Sequence, residues 1–192
     1  HPISTISDHG VNESIYIHDP DGTLVEITRD LTAEELVQHR PLRPQELSEQ
    51  LLNLTSHSGF SEMSRDRRIG HVLLRVANLS EAEQYYVGGL GFRVTMRIPG
   101  AVFVSSGSYH HHLGFHVWES EGGAPPDPSA IGLRYYGIFV ENNEIQNEMF
   151  IRMNNSFEYR FEQDPSGNGI LLTKKMDANP QKLIDIDQHF SA

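Results

Sequence analysis

The sequence has no cysteine among its 192 residues. No disulfide framework, thiolate nucleophile, cysteine-ligated zinc or iron–sulfur cluster is open to it, and any metal must be held by His, Asp or Glu. Positive charge is also scarce: 15 Lys and Arg stand against 26 Asp and Glu, a formal net charge of −11. That is the wrong sign for a surface that neutralises nucleic-acid phosphates or lies on an anionic membrane. Apolar runs are short, none approaching the roughly 18 residues of a membrane span, and His1 to His9 lack the pattern of a signal peptide. These absences predict a soluble, cytoplasmic protein with no nucleic-acid and no membrane partner. Histidine, by contrast, is plentiful, with 11 copies.

The chain repeats itself at long range. Residues Ser14 to Ile27 alternate apolar and polar positions on either side of Asp19-Pro-Asp-Gly22, the pattern of a β-hairpin. Residues Phe157 to Leu172 repeat the design around Asp164-Pro-Ser-Gly167, an offset of 145 residues from Asp19 to Asp164. Residues 29–68 read as a helical linker, with helix starts at Thr32-Ala-Glu-Glu and Pro44-Gln-Glu-Leu.

From Ile69 the pattern becomes strand (Ile69–Val76), helix (Leu79–Tyr86, with Ser80 as N-cap and Gly88-Gly89 at its end), then strands at Gly91–Arg97, Ala101–Ser105 and His110–Trp118. Three prolines and two glycines between Gly122 and Pro128 break the chain. A second unit follows, with a strand over Leu133–Val140, a helix over Ile145–Asn154 and the closing hairpin. The fold class predicted is α+β, built of paired βαβββ modules that form a curved, barrel-like mixed sheet. Residues 1–28 read as the closing hairpin of a preceding module, 69–121 and 129–173 as two complete modules within 69–176, and 177–192 as a tail.

Ile69-Gly-His71-Val-Leu-Leu-Arg-Val, followed by Tyr85-Tyr86 and Gly89-Leu-Gly-Phe92, resembles the module opening of the vicinal oxygen chelate superfamily, which includes glyoxalase I, bleomycin resistance proteins and extradiol dioxygenases. Asp19-Pro-Asp-Gly-Thr-Leu-Val-Glu26 resembles its module close. Ser7-Asp-His-Gly-Val-Asn-Glu-Ser-Ile-Tyr16 and Ser108-Tyr-His-His-His-Leu-Gly114 extend the likeness to the four-module catechol 2,3-dioxygenase-like group. On that resemblance this His-first chain is the C-terminal two-thirds of a four-module protein.

The resemblance implies a ring-cleaving dioxygenase that uses Fe(II) or Mn(II), or another divalent metal, with a catecholic aromatic and dioxygen as substrates. Two His and one carboxylate would hold the ion and leave open positions for both substrates. Carried over residue by residue, Glu26 is the carboxylate ligand, Tyr16 orients the bound species and His9 handles a proton. Without the resemblance the same three residues read as a solvated strand glutamate, a packed aromatic and a turn histidine. His71 occupies a first-ligand position and, by strand alternation, shares a face with Leu73 and Arg75. Its partner position is Tyr135 and the carboxylate position is Leu171, so residues 69–173 lack two of the three usual ligands.

The run Tyr109-His-His-His-Leu-Gly-Phe-His116 read as a strand puts His110, His112 and His116 on one face and His111 on the other. These residues, with Arg75 and Tyr135, are candidates for a metal site or a polar cleft. A second reading is a metal-free small-molecule binding or resistance-type module, with no cofactor. A third, a glyoxalase-type lyase, needs two carboxylates where Glu26 supplies one. A hairpin without its own module has unpaired edges, so a homodimer formed by hairpin exchange is also expected.

Overall fold

The structure, a computed structural model, describes residues 3–44, 46–49, 67–127, 129–139 and 159–173. The chain divides into two units, His1–Arg67 and Arg68–Ala192.

In the first unit three strands, β1 (Ile3–Asp8), β2 (Asn12–His18) and β3 (Leu24–Asp30), form an antiparallel sheet in the order β1-β2-β3. The hairpin expected from alternation is β2 and β3. Strand β1 is additional, because Ile-Ser-Thr-Ile-Ser-Asp carries too few apolar residues to announce itself and is recruited by backbone pairing, Ile6 opposite Ile15 and Ser7 opposite Ser14. Helix α1 (Ala33–Gln38) starts where the sequence predicts. The Thr32 hydroxyl accepts from the Glu35 amide at 3.2 Å while the Glu35 carboxylate accepts from the Thr32 amide at 2.8 Å, so two backbone donors that the helix itself leaves unpaired are satisfied reciprocally.

The second unit holds β4 (Val72–Arg75), α2 (Leu79–Glu83), β5 (Arg93–Ile98), β6 (Ala101–Ser105), β7 (Leu113–His116), β8 (Tyr135–Phe139), β9 (Tyr159–Gln163) and β10 (Gly169–Thr173). Strands β4 to β7 form a four-stranded sheet in the order β4-β7-β6-β5, parallel between β4 and β7 and antiparallel elsewhere. Strands β8 to β10 form a second sheet in the order β8-β10-β9, again parallel between the first and last strands. This is a mixed α+β fold. Among the described residues the sheets stay separate and do not close into a barrel.

Helix α2 is capped by Asn78, whose side chain accepts from the Ser80 and Glu81 amides, and not by Ser80 as predicted. Asn78 holds the extended backbone an N-cap needs, and its carbonyl oxygen reaches the first free donors. The helix continues as one wider π turn over Gln84–Gly89. This sets Tyr85 and Tyr86 on different partners: Tyr85 donates to Glu162 at 2.9 Å and Tyr86 to Asp164 at 2.9 Å. The predicted helix at 145–154 and the tail at 177–192 lie outside the described residues.

One apolar core serves both sheets of this unit. Leu74, Val76, Val102, Val104, Leu113 and Phe115 come from the first, Tyr136, Ile170 and Leu172 from the second, and Ala82 and Tyr86 from the helical segment. Tyr86 stacks on Phe115 with ring centres 5.2 Å apart.

The two Asp-Pro-x-Gly turns agree bond for bond. Asp19 Oδ1 accepts from the amides of Asp21 and Thr23, and Asp164 Oδ1 from those of Ser166 and Asn168. Gly22 and Gly167 take φ of 87° and 86°, the left-handed conformation in which a side chain is strained. The register repeats too: Tyr16 lies opposite Glu26 and, 145 residues on, Phe161 lies opposite Leu171.

The predicted strand from His110 is corrected. Strand β7 begins only at Leu113, and His110 to His112 form the end of the β6–β7 connection. Successive rings pack on one another there, Tyr109 on His110 at 4.0 Å and His110 on His111 at 4.4 Å. A pleated strand, which sends neighbours to opposite faces, cannot make those contacts. None of the described helices is long and apolar enough to cross a membrane.

Candidate functional site

The first unit's sheet brings His9, Tyr16 and Glu26 together. Tyr16 and Glu26 are direct cross-strand partners, so their side chains rise from the same face of adjacent strands. Tyr16 Oη donates to Glu26 Oε1 at 2.9 Å. His9 Nε2 lies 2.9 Å from the same hydroxyl and 3.8 Å from Glu26 Oε1. Since an ionised carboxylate only accepts, the tyrosine proton points to Glu26 and His9 donates from Nε2 to the tyrosine oxygen.

Burial raises the Tyr16 hydroxyl well above the ordinary tyrosine range, and the adjacent Glu26 charge raises it further. The phenol is therefore a fixed proton carrier at neutral pH.

Ser14 and Thr28, one step along the same face, were not singled out from the sequence. Ser14 Oγ donates to Glu26 Oε1 at 2.6 Å and lies 3.1 Å from Thr28 Oγ1. The signal was present in the two-residue period: Ser14 is two before Tyr16 and Thr28 two after Glu26. This polar face is also the better shielded one, because Val25 and Ile27 of the opposite face are 39% and 45% exposed while Ser14 is 2% exposed. A sheet folded only to bury apolar surface would show the reverse.

His9 stands on the β1–β2 turn, and its neighbour Asp8 holds that turn in place. The Asp8 carboxylate accepts from the Gly10 amide at 2.8 Å, from the Leu42 amide at 2.7 Å and from His39 Nε2 at 2.8 Å. Burial acts to raise its pKa, but the two amides and His39 outweigh it and the carboxyl is held below its usual range. Gly10, at φ 80°, completes the turn.

In the second unit the predicted residues separate. Arg75 is an exposed ion-pair partner of Glu119 at 2.7 Å. Tyr135 packs edge-on against Phe161 at 6.1 Å. His116 is buried at the end of β7 and stacks on Trp118 with ring centres 4.4 Å apart. Burial, with Arg75 nearby, pushes its pKa down. His112 is tied to Ser105 Oγ at 3.0 Å, and its pKa is likewise lowered, by burial first and then by His110 and Arg68. The expected common face of His110, His112 and His116 does not form. His111 instead sits between His71, at 4.6 Å, and His110, at 4.4 Å.

Residues 68–172 match a family model described as the Glyoxalase/Bleomycin resistance protein/Dioxygenase superfamily. The chain belongs to that superfamily. Catechol-2,3-dioxygenase of Bacillus subtilis (strain 168) is 33% identical over 144 residues, 71% of this chain and 50% of the relative, so the chain spans about half the length of that protein. Glyoxalase I of Leishmania major is similar at 22% identity and a TM-score of 0.41, over 66% of this chain and all of that one. A glyoxalase family protein from Enterococcus faecalis is similar at 22% identity and a TM-score of 0.43, over 58% of this chain and all of that one.

Members of the superfamily often use a divalent metal, and the donors around Glu26 are one carboxylate and one imidazole, His9. Among the described residues no three His, Asp or Glu are arranged to hold a metal ion. The described residues therefore do not make a two-His, one-carboxylate face by themselves. In the second unit's closing hairpin the positions of Tyr16 and Glu26 are taken by Phe161 and Leu171, and Leu171 is buried. That hairpin keeps the turn and register of the first hairpin and has apolar side chains where the first has its polar pair.

Proposed function

We propose that this chain is part of a ring-cleaving dioxygenase acting on a catecholic aromatic and dioxygen, with Fe(II) or Mn(II) as its metal. The observation that carries the reading is the hydrogen-bonded series His9–Tyr16–Glu26 on the polar face of the first sheet, in a chain similar to a catechol dioxygenase over 144 residues. Of the three ligands such a metal takes, Glu26 is the one this face supplies. The chemistry derived for this chain is proton handling: His9, partly exposed, exchanges a proton with a diol hydroxyl or a product oxygen, Tyr16 fixes the tautomer of His9, and Glu26 anchors Tyr16.

The complete protein of which this chain is part, supplied anaerobically with Fe(II) and then given catechol and air, is expected to form a coloured ring-fission product. His9→Ala is expected to lower the rate by about 100-fold, the scale of a lost general acid or base. Absence of product while metal is bound overturns the reading. Leu171 and Phe161 favour a second role for residues 68–173, that of a metal-free supporting or small-molecule binding module.

A further inference from the structure

We propose that Ser14 is a positioning residue for the His9–Tyr16–Glu26 series: its hydroxyl fixes the Glu26 carboxylate so that the hydrogen bonds of the series run in one direction. Its use in catalysis rests on the function proposed above; its geometry does not.

Ser14 stands on the rung next to Tyr16 and Glu26. It pairs with Thr28 while Tyr16 pairs with Glu26, so Glu26 meets Ser14 only along the diagonal, a separation of about 7–8 Å between backbones. Glu26 Oε1 nonetheless accepts from Ser14 Oγ at 2.6 Å and from Tyr16 Oη at 2.9 Å. The first distance lies within the range of about 2.5–2.7 Å for a hydroxyl donating to an ionised carboxylate. Thr28 Oγ1, 3.1 Å from Ser14 Oγ, competes for the same proton over a longer distance and without a charge. Two donors from different rungs on one oxygen stop the carboxylate from turning about its terminal bond, a rotation that one donor leaves open. Ser14 is 2% exposed, so bulk water does not replace its bond.

Direction matters because a phenol has one proton. While Glu26 Oε1 holds it, the Tyr16 oxygen accepts from His9 Nε2, and His9 is kept as the tautomer protonated at Nε2. A carboxylate that swings off Tyr16 leaves that proton to point at His9, which reverses the bond and moves the imidazole proton to Nδ1. Ser14 thus selects the tautomer of His9 through two intervening groups.

The second closing hairpin supplies an internal comparison. At the offset of 145 residues Tyr159 stands for Ser14, Phe161 for Tyr16, Leu171 for Glu26 and Thr173 for Thr28, in the same register. The three members of the bonded set on these strands change together, and the threonine alone is kept. A threonine that persists without the carboxylate is there for the strand, where a β-branched residue fits. The serine is present where the carboxylate is.

The test uses the complete protein, free of metal, and follows exchange of the Tyr16 hydroxyl proton with water by nuclear magnetic resonance, the signal being assigned by its loss in Tyr16→Phe. Ser14→Ala is expected to speed that exchange about 10-fold or more, the scale of one lost hydrogen bond to a charge. Ser14→Thr is expected to return it to the parent rate; if its extra methyl unfolds the sheet, as circular dichroism would show, Ser14→Ala decides alone. The β2 and β3 backbone amides are expected to exchange alike in parent and variants, which separates orientation of Glu26 from loosening of the sheet. In the Fe(II)-loaded protein Ser14→Ala is expected to lower kcat about 10-fold with KM unchanged. A Tyr16 proton that exchanges no faster in Ser14→Ala, or amides that speed up with it, overturns the role of Ser14. So does a parent in which that proton is not protected. Absence of ring cleavage in the parent overturns the function proposed above, and the exchange rates then decide the role of Ser14.

Discussion

Tyr16 shows how one hydroxyl gains a role from its neighbours. It touches His9 on one side and Glu26 on the other, and its proton is retained because burial and a carboxylate both oppose a phenolate. In an ultraviolet titration Tyr16 is expected to stay protonated through the pH range in which exposed tyrosines ionise. Glu26→Gln removes the opposing charge but not the burial, so it should lower that midpoint by roughly one pH unit without restoring the ordinary value. A midpoint that does not move would mean that Glu26 is neutral or turned away from Tyr16. The residue types were legible in the sequence, as was the Tyr-to-Glu spacing, since a ten-residue interval across a short turn puts both on one sheet face. Ser14 and Thr28 were readable from the same period. Asp8 was not, because its partners His39 and Leu42 come from a distant stretch that no local pattern connects to it.

At the scale of elements, Asp8 joins β1 to the segment after α1. Its side chain is fully buried against His39, and three donors converge on it. Its pKa is depressed on folding, so the stability it contributes is present above the unfolded aspartate value near pH ~4 and is lost as pH falls through the lower folded value. Asp8→Asn should cost about 2 kcal/mol near neutral pH. The deficit should shrink toward zero in acid, where the parent carboxyl is protonated as well. Hydrogen exchange of the β1 and β2 amides, followed against pH, measures it; a deficit that persists at low pH would mean that the loss is one of shape, not charge. Elements with strong local signals were legible: the helix start at Thr32, both Asp-Pro-x-Gly turns and the alternation of β2 and β3. The histidine run was misread because alternation assumes a strand, and stacked rings in a connection leave no periodic trace.

At the scale of the second unit, a buried chain of hydroxyls ties the sheets together. Tyr136 of β8 donates to the Tyr86 hydroxyl at 3.0 Å, and Tyr86 donates to Asp164 of the closing turn at 2.9 Å. Asp164 also fixes the turn through Ser166 and Asn168, and Asn168 and Ser166 reach the backbone of Arg75 and Ala77 at the end of β4. Tyr86→Phe leaves a buried carboxylate oxygen and the Tyr136 hydroxyl short of a partner. The expected cost is about 1–3 kcal/mol, a fall of roughly 2–4 °C in Tm for each kcal/mol, read by thermal denaturation. Tyr136→Phe should cost less, since it removes a donor from a hydroxyl that keeps Asp164. An equal or larger loss in Tyr136→Phe would show that the chain of hydrogen bonds does not end on Asp164.

The sequence by itself determined the α+β class, the repeat of the closing hairpin, the turn chemistry and the Tyr16–Glu26 pair. These follow from local periodicity and from positions where only Gly or Asp satisfies the backbone. Tertiary structure alone decided which histidines meet, that Asp8 anchors the turn bearing His9 and that Asn78 caps α2. Those outcomes depend on strand register and on contacts between residues far apart in the chain, and nearest-neighbour pattern carries no record of either.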